Sequence, residues 1–232
     1  MAGAGAGATA MHWGACGQMA SADAQKIQLI MSLRSQGIRS TAVLEALERV
    51  PRELFVDPHY AAEAYVDKAL PIDCGQTISQ PYIVAFMTEK LEVDRRHKVL
   101  EVGTGSGYQT CILSQLCRRV YTIERYRPLL RKAEERFRRL RFSNVTTLLG
   151  DGLKGWESQA PFDRIILTAA ASSVPVQLLD QLRDGGIMVL PIETFPGRQE
   201  LQRIIRTDNG FSRESLLPVR FVPLQPGLPR DA

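Results

Sequence analysis

The residues best able to do chemistry lie in one short segment, Glu101-Val102-Gly103-Thr104-Gly105-Ser106-Gly107, where glycine recurs at every second position behind an acid. Glycine reaches backbone angles closed to other residues and carries no Cβ. Such a loop therefore turns sharply and lets a ligand lie against the main chain. An apolar run at 98–102 leads into it and a helix-like stretch from 108 follows. That context puts the loop at the carboxyl end of a buried strand, where open α/β sheets bind their ligands. Two cofactor classes fit poorly. A phosphate-cradling loop ends in Gly-Lys-Ser/Thr, whereas this one continues Gly107-Tyr108-Gln109. A dinucleotide loop has its third glycine five positions after the first. Here that position is Tyr108, and the third glycine comes one residue earlier, at Gly107.

The spacing instead resembles the E-x-G-x-G-x-G signature of S-adenosylmethionine-dependent methyltransferases. Two further acids extend that reading. Glu124 follows the next apolar run, 120–123, and stands 21 residues after Gly103. An acid at that strand tip can accept hydrogen bonds from both ribose hydroxyls of a nucleoside. The plainer alternative is a surface acid ahead of a helix. Asp151, in Gly150-Asp151-Gly152, follows the third run, 145–149, and could accept from an adenine amino group or simply hold a turn. Features that follow three successive strands converge on one crevice.

The elements needed to position them can be read from periodicity. Apolar residues at helical spacing predict helices over 23–37, 41–49, 58–66 and 82–91, with Ser40 as a candidate cap of the second. From residue 98 the texture alternates: strands at 98–102, 120–123, 145–149, 164–168 and 187–190, with helices at 108–117, 128–140 and 176–182 between them. This predicts an α/β fold with a doubly wound, mostly parallel sheet, which the resemblance of the glycine loop implies is of the Rossmann-like methyltransferase type. The stretches 201–206 and 214–221 read as antiparallel C-terminal edge strands. Residues 1–20 read as a flexible Gly/Ala-rich tail. The N-terminal helical layer at 21–95 is expected to form one compact domain with an S-adenosylmethionine-binding domain at 96–232.

Composition narrows the function classes. Of the 232 residues, 44% are hydrophobic and 23% charged, ordinary for a globular chain with a core. The net charge of +4 is mildly basic. Its densest basic run, 125–141, is interleaved with Glu134 and Glu135 and reads as a solvated helix face. No nucleic-acid motif accompanies it, so no nucleic-acid partner is expected. The cysteines, Cys16, Cys74, Cys111 and Cys117, form no C-x-x-C pair and have no histidine at zinc-ligand spacing, so no metal is expected. Four cysteines without a framework fit a reducing, cytoplasmic setting. No apolar run is long enough for a membrane span, and no coiled coil is evident, so the expectation is a cytoplasmic monomer without a membrane partner.

The segment Gly75-Gln76-Thr77-Ile78-Ser79-Gln80-Pro81 makes the resemblance specific. It is similar to the signature of protein-L-isoaspartate O-methyltransferases, which repair damaged aspartyl and asparaginyl residues. Val50-Pro51-Arg52-Glu53-Leu54-Phe55-Val56 resembles that family's lead-in. Gly155-Trp156, Ala160-Pro161-Phe162-Asp163, Thr168-Ala169-Ala170-Ala171 and Leu190-Pro191 resemble its middle, and Arg220-Phe221-Val222-Pro223-Leu224 its end. The resemblance covers 25–224. It departs in the N-terminal tail, at Asp73-Cys74, at Glu193-Thr194-Phe195-Pro196-Gly197 and after Leu224.

The resemblance implies methyl transfer from S-adenosylmethionine to the free α-carboxylate of isoaspartyl-containing proteins and peptides. It implies cofactor contacts by Glu101, Gly103, Thr104, Gly105, Ser106, Gly107, Glu124, Gly150, Asp151 and Gly152. It places Thr77, Ile78, Ser79, Gln80, Thr168 and Ala169 on the substrate side, with Ser79 as the active-site residue, unless Ser79 only caps the helix that follows. Two other readings stay open: a methyltransferase of the same fold acting on RNA or a small molecule, and a binding module without turnover.

Overall fold

The computed structural model describes residues 13–229, with side chains from Ala22 onward. The N-terminal half supplies α1 (Trp13–Ser35), α2 (Thr41–Arg49), the short strands β1 (Leu70–Pro71) and β2 (Thr77–Ile78), and α3 (Pro81–Leu91). The sheet half follows as β3 (Lys98–Val102), α4 (Tyr108–Leu116), β4 (Arg119–Glu124), α5 (Arg127–Arg139), β5 (Val145–Leu149) and β6 (Phe162–Leu167). It ends with α6 (Val176–Asp180), β7 (Leu182–Phe195), β8 (Arg198–Thr207) and β9 (Gly210–Val219).

Seven strands pair in the order β5-β4-β3-β6-β7-β8-β9. The first five are parallel, and β7, β8 and β9 form an antiparallel meander. The chain winds outward from β3 to β5, then returns to place β6 on the other side of β3. The winding reverses between β3 and β6, which opens a crevice at their carboxyl ends.

Strand alternation divides the core. In β3, Val99 packs with Met87 and Leu91 of α3, while Leu100 and Val102 pack on the opposite face with Leu178, Leu179 and Leu182. Outside α4 lies the N-terminal layer, where Leu33, Leu44, Leu47 and Phe55 share a cluster with Tyr108, Cys111 and Ile112. Ser40 caps α2 through the Val43 amide, as expected. The basic run folds as expected too. Helix α5 buries Leu129, Leu130, Ala133 and Phe137 and exposes most of its charges. Arg136 is the exception, donating to the carbonyls of Leu54 at 2.8 Å and Ser106 at 3.0 Å.

Several boundaries differ from the sequence expectation, among them β9, which spans Gly210–Val219 in place of 214–221. Helix α1 begins at Trp13, inside the segment read as a tail; the run contains no proline and is rich in helix-forming Ala, Gln and Met. The tail expectation for 1–12 lies outside the described residues. In place of a helix over 58–66 there is a 3-10 segment, Pro58–Glu63, started by the Asp57 side chain. Helix α6 stops at Asp180 because Leu182 already pairs with Phe162 in the sheet. Strand β7 runs far beyond 187–190, since β8 pairs with it as far as Phe195↔Arg198. The departure at 193–197 is therefore the tip of a long hairpin, turned by Pro196 and Gly197.

Candidate active site

Three glycines of the loop do different work. Gly103 has φ +97°, and a Cβ there would stand 2.3 Å from the Thr168 hydroxyl oxygen. That hydroxyl donates to the Gly103 carbonyl at 2.6 Å and approaches the Val102 carbonyl at 3.1 Å, so β6 holds the turn leaving β3. Gly107 has φ +87°, and its missing Cβ makes room for the Phe137 ring, 2.7 Å away. Gly105 has φ +53° and only Ile72 nearby, at 3.7 Å from a built Cβ, so its surroundings are open. Thr104 is buried and its hydroxyl pairs with that of Thr122 at 2.7 Å, while Ser106 accepts from the Tyr108 amide.

Glu124 ends β4 beside this turn. Its Oε2 accepts from the Gly105 amide at 2.8 Å, and its Oε1 accepts from the amides of Arg125 and Tyr126 at 2.8 and 2.9 Å. A carboxylate offers about four acceptor sites. Three are taken by backbone, and Oε2 keeps one for a ligand hydroxyl. The sequence expectation is that this carboxylate accepts from both ribose hydroxyls; in the folded chain one of its acceptor sites is not taken by backbone. Burial pushes the Glu124 carboxyl above the usual range, against the amides that favour its ionised form.

Glu101 parts from the expectation of a cofactor contact. Alternation along β3 turns its side chain toward α4, fully buried and away from the crevice. Its Oε2 accepts from Thr110 at 2.5 Å and Thr122 at 2.6 Å, and its Oε1 has no partner among the described residues. Burial pushes this carboxyl up to about 8, against the two hydroxyls, and the negative Glu124 adds to the rise. The folded chain therefore holds a proton that the unfolded chain, near 4.5, releases. Stability is full below the lower value and falls as pH rises toward about 8. Glu101→Gln is expected to flatten the decline of Tm across that window in a thermal melt series. An unchanged pH slope would count against the assignment.

Asp151 also serves the chain itself. Its Oδ1 accepts from the Leu153 amide at 3.0 Å and its Oδ2 from the Gly227 amide at 2.8 Å. The second bond fastens the C-terminal segment, whose Val222 carbonyl accepts from Ala170 and whose Leu224 amide donates back to Ala170. Residues 222–225 thereby wall a cavity of about 300 Å³ at the switch point, together with Gly103, Gly105, Glu124, Gly152, Thr168 and Ala169. Sequence reading quoted part of this segment as a resemblance but gave it no role. Its contact is long-range, and no local pattern marks it. Gly150 and Asp151 do not themselves line this cavity.

Ser79 opens on the same crevice from the other side. It shares a small cavity with Thr77, Ile78, Gly103, Gly105 and Thr168. Its hydroxyl makes no hydrogen bond among the described residues, and α3 is not capped by it. The Asp67 carboxylate takes that work instead, accepting from the Tyr82 amide at 2.8 Å and the Gln80 side chain at 3.1 Å. The Ser79 carbonyl is fixed by Arg52, which donates from Nη2 at 2.8 Å. Arg52 is fully buried, lies 4.8 Å from the Tyr108 ring centre, and donates from Nε to the Ala64 carbonyl. Sequence reading missed Asp67, which lies in no motif with recognisable spacing, and placed Arg52 in the lead-in resemblance at 50–56 without giving it a role. Gln80 faces a wider groove beyond Ser79.

No group of His, Cys, Asp and Glu among the described residues could hold a metal ion. No described helix is long and apolar enough to cross a membrane.

Known proteins resemble this arrangement throughout. The family model described as Protein-L-isoaspartate(D-aspartate) O-methyltransferase matches residues 24–228. The protein-L-isoaspartate O-methyltransferase of Parvibaculum lavamentivorans is 60% identical over 216 residues, covering 92% of this chain and 97% of its own. A solved protein-L-isoaspartate O-methyltransferase superposes with a TM-score of 0.77 at 28% identity, over 85% of this chain and 65% of its own. This chain thus spans a little under two thirds of that protein. A beta-aspartate methyltransferase structure from Plasmodium falciparum, in complex with S-adenosyl-L-homocysteine, gives a TM-score of 0.76 at 27% identity, over 87% of this chain and 98% of its own.

Proposed function

We propose, starting from the fact that this chain belongs to the protein-L-isoaspartate(D-aspartate) O-methyltransferase family, that it methylates the free α-carboxylate of L-isoaspartyl residues in damaged proteins and peptides. The observation that carries this reading is the single crevice shared by Ser79 and the Gly103–Gly105 turn. The cavity of about 300 Å³ at the switch point lies within the range of small-ligand sites. Its open Gly105, the free acceptor site on Glu124 and the wall at 222–225 fit the methionine, ribose and base portions of S-adenosylmethionine. Bound there, S-adenosylmethionine supplies an electrophilic methyl group on a sulfonium.

The chain's own part is positioning. An α-carboxylate with a reference pKa near 3.5 is ionised at neutral pH, so no strong base is needed. The histidines agree with this. His59 is exposed and bonded to Asp57, and His97 is buried beside Asp94 with its basicity lowered by burial; neither lines the crevice. His12 lies outside the described residues. Ser79 donates its free hydroxyl to the substrate carboxylate and holds one oxygen in line with the methyl carbon. Thr77, Ile78 and Gln80 form the wall around it. Alignment of this kind supplies about 7–11 kcal/mol, and closing the crevice strips water from the nucleophile. The resulting methyl ester is a better electrophile than the carboxylate, because methoxide leaves more readily than oxide. Attack by the following backbone nitrogen on the ester carbonyl then expels methanol and gives a succinimide, which hydrolyses in part to normal aspartate.

Matched isoaspartyl and aspartyl peptides test the reading: methyl ester is expected on the first alone. Transfer to RNA with no transfer to the peptide would support a nucleic-acid methyltransferase instead. In the same assay Ser79→Ala should lower kcat roughly 5- to 150-fold, the equivalent of losing about 1–3 kcal/mol of hydrogen bonding, with cofactor affinity unchanged. Unchanged kinetics would return Ser79 to a purely structural part. The free thiols of Cys74, Cys111 and Cys117 support a reducing cytoplasm as the place of action, and we read the working unit as a monomer.

A further inference from the structure

A wider groove, about 700 Å³, lies beyond Ser79, between the 77–83 segment and residues 218–222 at and just past the end of β9. Thr77 and Val222 line both this groove and the cofactor cavity, so the two spaces adjoin. Its described lining carries one charged side chain, Arg220. Some arginines of β7 and β8 are paired, Arg183 with Asp163, Arg203 with Glu92 and Glu214, and Arg206 with Asp184, while Arg198 and Arg213, like Arg220, make no ion pair among the described residues but do not line this groove. Arg220 is exposed and has no carboxylate within ion-pair distance among the described residues.

Its backbone, by contrast, is held from both sides. The β8–β9 ladder ends at Gln199↔Val219. One residue past Arg220, the Gln199 amide accepts from the Phe221 amide at 2.6 Å and donates to the Phe221 carbonyl at 3.1 Å. A fixed backbone carrying a free guanidinium into a neutral groove is an arrangement that favours an incoming anion.

We infer that Arg220 is a substrate-binding residue that captures the α-carboxylate of the isoaspartyl residue and discriminates the anionic substrate from its neutral methyl ester. The inference rests on the function proposed above. The substrate carries one negative charge at the reacting group and the product ester none. An unpaired cation in the groove therefore strengthens binding before transfer and weakens it after. A guanidinium can hold one carboxylate oxygen and leave the other free for the methyl group. Its contribution belongs to capture, so it is read in KM more than in kcat.

Arg220→Gln and Arg220→Lys test this on the full chain with an isoaspartyl peptide at low and high salt. A peptide bearing an α-carboxamide in place of the carboxylate serves as a neutral competitor. Arg220→Gln is expected to raise KM about tenfold, with kcat within about twofold, and to remove most of the salt dependence of kcat/KM. Arg220→Lys should retain that salt dependence. The carboxamide peptide should bind wild type and Arg220→Gln equally. An active wild type together with an Arg220→Gln variant of unchanged KM and salt dependence would overturn this inference alone. A wild type inert on the peptide would overturn the proposed function and this inference with it.

Discussion

Gly103→Val is expected to abolish measurable S-adenosylmethionine binding and to lower Tm, the most severe single-residue effect in the glycine loop. Two costs combine. The backbone there has φ +97°, and forcing a β-branched residue into that region costs at least about 1–2 kcal/mol. The added Cβ would also stand 2.3 Å from the Thr168 hydroxyl oxygen, and that hydroxyl is itself engaged at the Gly103 carbonyl. Relief requires Thr168 to release the turn, and with it goes the path of the chain between β3 and the crevice. Gly103→Ala carries the same angle and the same clash, without the branched methyls. Adding Thr168→Ala removes the obstructing oxygen and leaves only the angle, so the double variant should regain part of the lost Tm. Calorimetric titration with S-adenosylmethionine, run beside a thermal melt, separates the two costs. Affinity within a few-fold of wild type in a folded Gly103→Val chain would refute the crowding argument.

Most of the fold was legible because its signals are local. Short apolar runs followed by glycine or acid mark parallel strands, and those strands appeared at 98–102 and 145–149 with their predicted bounds. The glycine loop was legible because positive φ demands glycine at fixed spacing. What escaped was set by distant partners. Glu101 looked like part of the ligand motif, but strand alternation turns it under α4 to meet Thr110 and Thr122. The length of β7 depends on the register of β8, and no window around 187–190 carries that information. The cofactor cavity's fourth wall comes from residues 222–225, held by Ala170 and Asp151 some 50 to 75 positions earlier in the chain. Arg52 is the clearest case. The resemblance at 50–56 gave it no role, yet the fold buries it to hold the carbonyl of the proposed active-site serine.

Glu124→Ala should cost at least about a hundredfold in S-adenosylmethionine affinity, and the reason goes beyond a lost ligand contact. A hydrogen bond to a charged acceptor contributes about 1.5–3 kcal/mol. In the folded chain the same carboxylate also gathers the amides of Gly105, Arg125 and Tyr126. Alanine removes the acceptor from all three at a nearly buried position, so the Gly105 turn loses its anchor to β4 just where the cofactor must lie. Glu124→Gln distinguishes charge from shape. It keeps one oxygen, but either orientation of the amide brings an N–H₂ group against a backbone donor, so a partial rescue at best is expected. pH supplies the independent check. Burial raises the Glu124 carboxyl above its ordinary value, so wild-type affinity should fall on acidification earlier than an exposed glutamate would make it fall, as the protonated form gives up acceptor capacity. The Gln variant has nothing to titrate there and should show a flatter acid limb. If Glu124→Gln binds within about threefold of wild type and retains the same acid limb, the carboxylate is neither the anchor of the turn nor the ribose acceptor, and another group must hold the nucleoside.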